Sequence, residues 1–210
     1  MDLLGFLFRW SHVLFGITWI GMLYYFNFVQ GGYFKQASPE GLADAKAKLA
    51  PSALWWFRWG AMGTFLTGVV MLFSFPTAVS NYIWIGSLFG TFMFLNVWLI
   101  IWPNQKIALG MVEGDGPAAG AKALLASRHN VLYSAPMAFC MLASGHGGGT
   151  WSGWALVDWS STSMIVMMAI IVALQANAMI GKQGPLTTVK GVVHCSLALT
   201  AVMVLVFKFL

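Results

Sequence analysis

The feature that most constrains this chain is a succession of apolar runs, each close to the ~20 residues needed to cross a bilayer as a helix. They cover roughly 8–30, 53–76, 82–102, 129–145, 162–181 and 190–210. The fourth is short and contains Pro136, which predicts a kinked span. Of the 210 residues, 59% are hydrophobic and 8% charged, against about 45–50% and about 25% in soluble domains. So few charges cannot cover the surface of a soluble protein of this size. The expected fold is therefore all-α, a polytopic membrane helical bundle with about six transmembrane helices in a single domain spanning 1–210.

Two short polar helices are expected between the spans. Ser38 at the N-cap and Pro39 at the first helical position open one. The stretch from Pro117 to Ser127, after the turn Gly114-Asp115-Gly116, reads as a second, lying on the surface. Assigning loops alternately to two sides separates the basic residues. One side carries Lys35, Lys46, Lys48, Lys106, Lys122, Arg128, Lys182 and Lys190, and the other only Arg9 and Lys208. The positive-inside rule makes the first side cytoplasmic and puts both termini outside. Trp10, Trp55, Trp56, Trp84, Trp102, Trp151, Trp154 and Trp159 fall near predicted span ends, as interfacial belts do.

The formal charge of +5 is dispersed among loops, so it describes topology, and no nucleic-acid partner is expected. The start, Met1-Asp2-Leu3-Leu4, has no basic n-region and no cleavage site after it, so no removed signal peptide is expected. Cys140 and Cys195 lie in apolar runs with no CxxC or CxxCH, which excludes a zinc knuckle and covalent haem attachment.

Ionisable residues inside spans are costly and are functional candidates. Depth sorts the four histidines into an outer pair, His12 with His146, and an inner pair, His129 with His194. Two imidazoles at one depth on different helices suit a haem iron, so one or two b-type haems are candidates, one per leaflet. The alternative is that these histidines only hydrogen-bond between helices. A metal site without haem is less expected, because only Asp158 lies near the outer pair.

Arg58, in Trp55-Trp56-Phe57-Arg58-Trp59, offers a planar fork to a haem propionate or an anionic substrate, or else snorkels to headgroups. Asn27, Gln30, Asn96, Asn104 and Gln105 cluster toward the same face. With Arg58, Arg128 and Asn130 they form either a polar pocket or interhelical glue.

Several motifs taken in order resemble the membrane domain of bacterial cytochrome c-linked urate oxidases. They are Arg9-Trp10-Ser11-His12, Trp19-Ile20-Gly21, Tyr24-Tyr25-Phe26-Asn27-Phe28-Val29-Gln30 and Trp55-Trp56-Phe57-Arg58-Trp59. They continue with Asn96, Ile101-Trp102-Pro103-Asn104-Gln105-Lys106, and Arg128-His129-Asn130 with Pro136. The resemblance implies a redox domain in the bacterial inner membrane that oxidises urate, or another small planar anion, and passes electrons to a cytochrome c domain. No CxxCH occurs up to Leu210, so the resemblance covers the membrane domain without that acceptor. A separate cytochrome c or subunits of a respiratory complex are then the expected partners. The substrate would bind near Asn27, Arg58, Asn104 and Gln105. The rival expectation is a non-catalytic accessory subunit of a respiratory complex. A transporter is disfavoured by the lack of an inverted repeat and of intramembrane acids.

Overall fold

The computed structural model describes residues 3–74, 80–146 and 157–210, the side chains of Gly145 and His146 excepted. Among these residues the fold is helical throughout, with no β-strand. Helix α1 runs Leu3–Tyr33. A short α2, Pro39–Asp44, leads through a π-helical turn at Ala45–Leu49 into α3, Ala50–Ser74. Then come α4, Asn81–Ala108; α5, Gly116–His146; α6, Thr162–Ile180; and α7, Val189–Phe209. Four of these, α1, α4, α6 and α7, are long and apolar enough to cross a membrane, and the chain is a membrane protein.

The two other long helices are less apolar for different reasons. Helix α3 carries Arg58, three tryptophans and three glycines. Helix α5 lies at the centre of the bundle, packed on α1, α4, α6 and α7. Neighbours rather than lipid cover it, so small and polar side chains are tolerated along it. By contrast, α1 packs mainly on α3 and leaves Leu3, Leu7, Trp10, Val13 and Ile17 exposed, the surface a lipid-facing helix presents.

The local capping expected at Ser38 is present. Its hydroxyl accepts the Gly41 amide at 3.2 Å, and Pro39 begins the helix. The second surface helix differs from expectation: residues 117–127 and the fourth apolar run form one continuous helix, α5. Nothing between Ser127 and His129 breaks a helix. Ala119, Ala123 and Ala126, spaced four and three apart, are buried where the last turns of α4 pack against the start of α5. Asp115 opens α5, its Oδ1 accepting the Ala118 amide at 3.0 Å.

Pro136 sits inside α5 without ending it. Proline has no amide hydrogen, so the carbonyl of Leu132, four residues earlier, loses its helical donor. Ser196 of α7 supplies a replacement, its hydroxyl lying 2.9 Å from the Leu132 oxygen and 3.2 Å from that of Val131. Such re-satisfaction by a neighbouring helix is what lets proline persist in membrane helices. Ser196→Ala is therefore expected to destabilise the bundle by about 1–2 kcal/mol. Most of that loss should disappear in a Pro136→Ala background, where the amide returns; thermal melts of the four proteins in detergent measure the coupling.

The core runs along the α4 face that carries Tyr82, Ile85, Phe89, Met93, Val97 and Ile101, all buried. A π-helical turn at Asn96–Ile101 adds a residue to this helix and brings both Asn96 and Val97 to zero exposure. Another π-helical turn, Tyr25–Gln30, lies in α1 and carries the buried Asn27. Outside the bundle, Asp158 accepts the amide and hydroxyl of Ser160 at 2.9 and 2.6 Å. These hydrogen bonds hold its carboxyl below the usual carboxylate value.

Candidate functional site

Polar side chains concentrate at one end of the bundle, where α1 and α4 finish and α3 and α5 begin. Helices α1 and α5 run antiparallel there. Asn27 donates to Ser127 Oγ at 2.7 Å, and about one turn back on α1 and two turns on along α5, the Tyr24 and Ser134 hydroxyls are 2.8 Å apart. Phe26 of α1 meets Phe57 of α3 edge-on at 5.5 Å, which seats the neighbouring Asn27 and Arg58 on adjoining helices. Arg58 reaches across to α4, its guanidinium carbon 3.3 Å from the centre of the Trp102 ring. Trp59 meets Trp98 edge-on at 5.8 Å one turn earlier on α4.

Four buried polar atoms in this cluster have no hydrogen-bond partner among the described residues: Arg58 Nη1, Asn27 Oδ1, Gln30 Oε1 and Trp98 Nε1. Buried polar atoms normally find partners. Two donors and two carbonyl acceptors left unmatched on three helices are a set that a small polar ligand can satisfy. Arg128, next to Ser127 and 8% exposed, also buries Nε and Nη1 without partners among the described residues. Of the other expected binding residues, Asn104 turns its amide back onto the Ile100 carbonyl at 2.8 Å. Gln105 follows it, half-buried, on the last turns of α4.

A second polar group crosses the centre of the bundle. Asn96 of α4, Asn130 of α5 and Gln175 of α6 share three hydrogen bonds of 2.7–3.2 Å. The Asn130 amide also reaches the Met93 carbonyl at 3.0 Å. Every member is buried and bonded, so this triad is interhelical glue.

The histidines differ in what they present. His12 places Nδ1 2.9 Å from the Thr64 carbonyl and 3.1 Å from Thr67 Oγ1. A carbonyl only accepts, so Nδ1 carries the proton and Nε2 keeps its lone pair, the tautomer of a metal-ligating imidazole. His194 is exposed and makes the same kind of bond, Nδ1 to the Lys190 carbonyl at 2.6 Å. His129 is fully buried with both nitrogens engaged, Nδ1 with the Leu125 carbonyl and Nε2 with the Asn177 amide, each at 2.9 Å. As folded it offers no nitrogen to a metal. The side chain of His146 lies outside the described residues; its backbone ends α5. From the Tyr24–Ser134 contact, the His12 and His146 backbones each lie further along antiparallel helices, away from the Arg58 end of the bundle. The described residues contain no cluster of three or more His, Cys, Asp or Glu side chains able to hold a metal ion.

Gln175, Asn177, Thr64 and Ser127 were not among the residues singled out from sequence. Gln175 and Asn177 stand as isolated amides in the apolar run 162–181, and that is the signal that could have found them.

The family model for the urate oxidase N-terminal domain matches residues 74–206, more than half of the chain. The chain belongs to the urate oxidase N-terminal family. No curated protein and no solved structure matches it. The family match takes in Trp98, Trp102, Arg128, His129 and the Asn96–Asn130–Gln175 triad, while His12, Asn27 and Arg58 precede it.

Proposed function

We propose that this member of the urate oxidase N-terminal family is a membrane oxidoreductase. A small planar anion such as urate binds at the Arg58–Trp102 cluster, and its electrons pass through the bundle to a cytochrome c on the opposite side. The observation that carries this reading is the buried, unmatched polar set around Arg58. Arg58 is half-buried with its Nη1 enclosed and unmatched, an unfavourable state that an anion relieves. Urate alternates ring N–H and C=O groups, so it offers acceptors to Arg58 and donors to the Asn27 and Gln30 oxygens. Asn104 and Gln105, at the end of α4, would line the approach.

In this reading α3 and α5 also cross the membrane, which makes six spans in the bacterial inner membrane. The Lys-rich loops lie in the cytoplasm and both termini in the periplasm. The substrate cluster is then cytoplasmic, and the end with His12 and His146 periplasmic. Haem b held by His12, with His146 as its second ligand, would supply a one-electron carrier near the acceptor. Thr64 and Thr67 hold the His12 ring for that task. The inner pair has no place in the proposal, because Asn177 occupies His129.

A reduced-minus-oxidised absorption spectrum of the purified protein tests the redox reading. Wild type should show b-type bands, and His12→Ala should lose them while its helical circular dichroism is kept. Protein without such bands, or with bands unchanged in His12→Ala, overturns the haem assignment.

A further inference from the structure

A cavity of about 490 Å³ opens between α5, α6 and α7 at the end bounded by the 182–188 connection, a size typical of small-molecule sites, which run roughly 300–1,000 Å³. Its walls include Leu132 of α5, Leu174 of α6 and Leu199 of α7, and its polar rim is His129, Asn177 and Lys182. It is separate from the Arg58 cluster, which lies among α1, α3 and α4.

The rim is built with several constraints. The Asn177 amide nitrogen serves His129 Nε2 at 2.9 Å and the Lys182 carbonyl at 3.1 Å, while its oxygen takes the Lys182 amide at 3.3 Å. A Cβ on Gly181 would overlap that oxygen, and a Cβ on Gly191 would overlap the Pro185 carbonyl. Gly184 turns the connection with φ +50°, in the left-handed region. The loop is thereby pinned over the mouth with little freedom to repack.

The chemistry of the lining selects among ligands. Among the described residues Lys182 is its one cation; the other nitrogen groups are amides and the His129 imidazole, and no acid lines it. One ammonium and the Gln183 amide can donate to carbonyl oxygens, whereas a phosphate headgroup calls for more positive charge. The aliphatic walls suit a flat apolar ring and the start of a tail. We propose that this cavity binds the head of a lipid-soluble quinone, its carbonyls at the Lys182 rim and its tail leaving toward the bilayer. Choosing a quinone among carbonyl-headed amphiphiles rests on the oxidoreductase reading above; the cavity itself does not.

Cys195 lines the cavity and is half-buried, whereas Cys140 is fully buried, so alkylation of the native chain reports on the site. The experiment follows N-ethylmaleimide labelling of Cys195 in the full chain in nanodiscs, with decylubiquinone as the probe, whose ring is fully substituted. Saturable protection is expected, slowing labelling about tenfold at ten times Kd. Lys182→Ala, at an exposed position, should leave unprotected labelling unchanged and raise the half-protecting concentration about tenfold. No protection in wild type, or equal protection in Lys182→Ala, overturns the proposal. Protection by oleate or phosphatidylglycerol as strong as by decylubiquinone makes the cavity a lipid site and overturns the quinone assignment. Protection without urate oxidation would sink the proposed function and leave this site standing; urate oxidation without protection would do the reverse.

Discussion

Arg58→Ala is expected to lower kcat/KM for urate by about 10²-fold or more, the loss seen when a charged donor aimed at developing charge is removed. Arg58 is half-buried, its guanidinium carbon 3.3 Å from the centre of the Trp102 ring and its Nη1 enclosed and free to donate to a ligand. Arg58→Lys keeps the charge but neither the fork nor the flat face, so it should recover only part of the activity. The stability of these variants separates a binding role from a structural one. Arg58 Nη1 has no partner among the described residues, so no hydrogen bond from it is lost on substitution. Only the Trp102 ring contact, about 0.5–2 kcal/mol, is lost, so the melting temperature of Arg58→Ala should fall little while activity collapses. Steady-state urate kinetics beside thermal melts in the same detergent make the comparison. A parallel fall in both would assign Arg58 to the scaffold.

The largest stability effect is expected at Asn96. Replacing it with Leu removes three hydrogen bonds together and strands the Asn130 oxygen and the Gln175 amide in the core. Buried groups left unpaired cost ~1–3 kcal/mol each, and amide bonds between membrane helices sit at the lower end of that scale. A loss of ~2–4 kcal/mol follows. Thr91→Ala, which deletes only a bond from Thr91 Oγ1 to the Ser87 carbonyl on its own helix, is the control and should fall below ~1 kcal/mol. Converting Asn96, Asn130 and Gln175 together to Leu should restore much of the stability, because no polar partner is then left stranded. Unfolding titrations of the three proteins distinguish these outcomes.

The contrast between Ser38 and His129 shows why some features were legible in the sequence. The Ser38-Pro39 helix start depends on atoms three residues apart, so local sequence contains all of it. The state of His129 depends on Asn177, 48 residues away, and nothing near His129 announces that its second nitrogen is taken. Hydropathy located the apolar runs because lipid exposure is an average over many residues. It did not show that the helix over 117–127 continues into the fourth run, nor that Ala119, Ala123 and Ala126 on it are buried, because alanine reads alike on a surface helix and in a tight helix contact. The polar end of the bundle was legible as a group, since Asn27, Gln30, Arg58 and Arg128 each interrupt an apolar or helical run. Which of them lack partners was not, because that follows from how three helices meet.

The central claim is that this chain oxidises a planar anion at one face of the membrane and delivers the electrons at the other. Purified wild type in sealed vesicles, with urate inside, cytochrome c outside and the Arg58 face inward, tests it most directly. Reduction of external cytochrome c that needs internal urate, and that fails in Arg58→Ala, is the predicted result. Folded wild-type protein that leaves cytochrome c oxidised at every urate concentration would contradict the account.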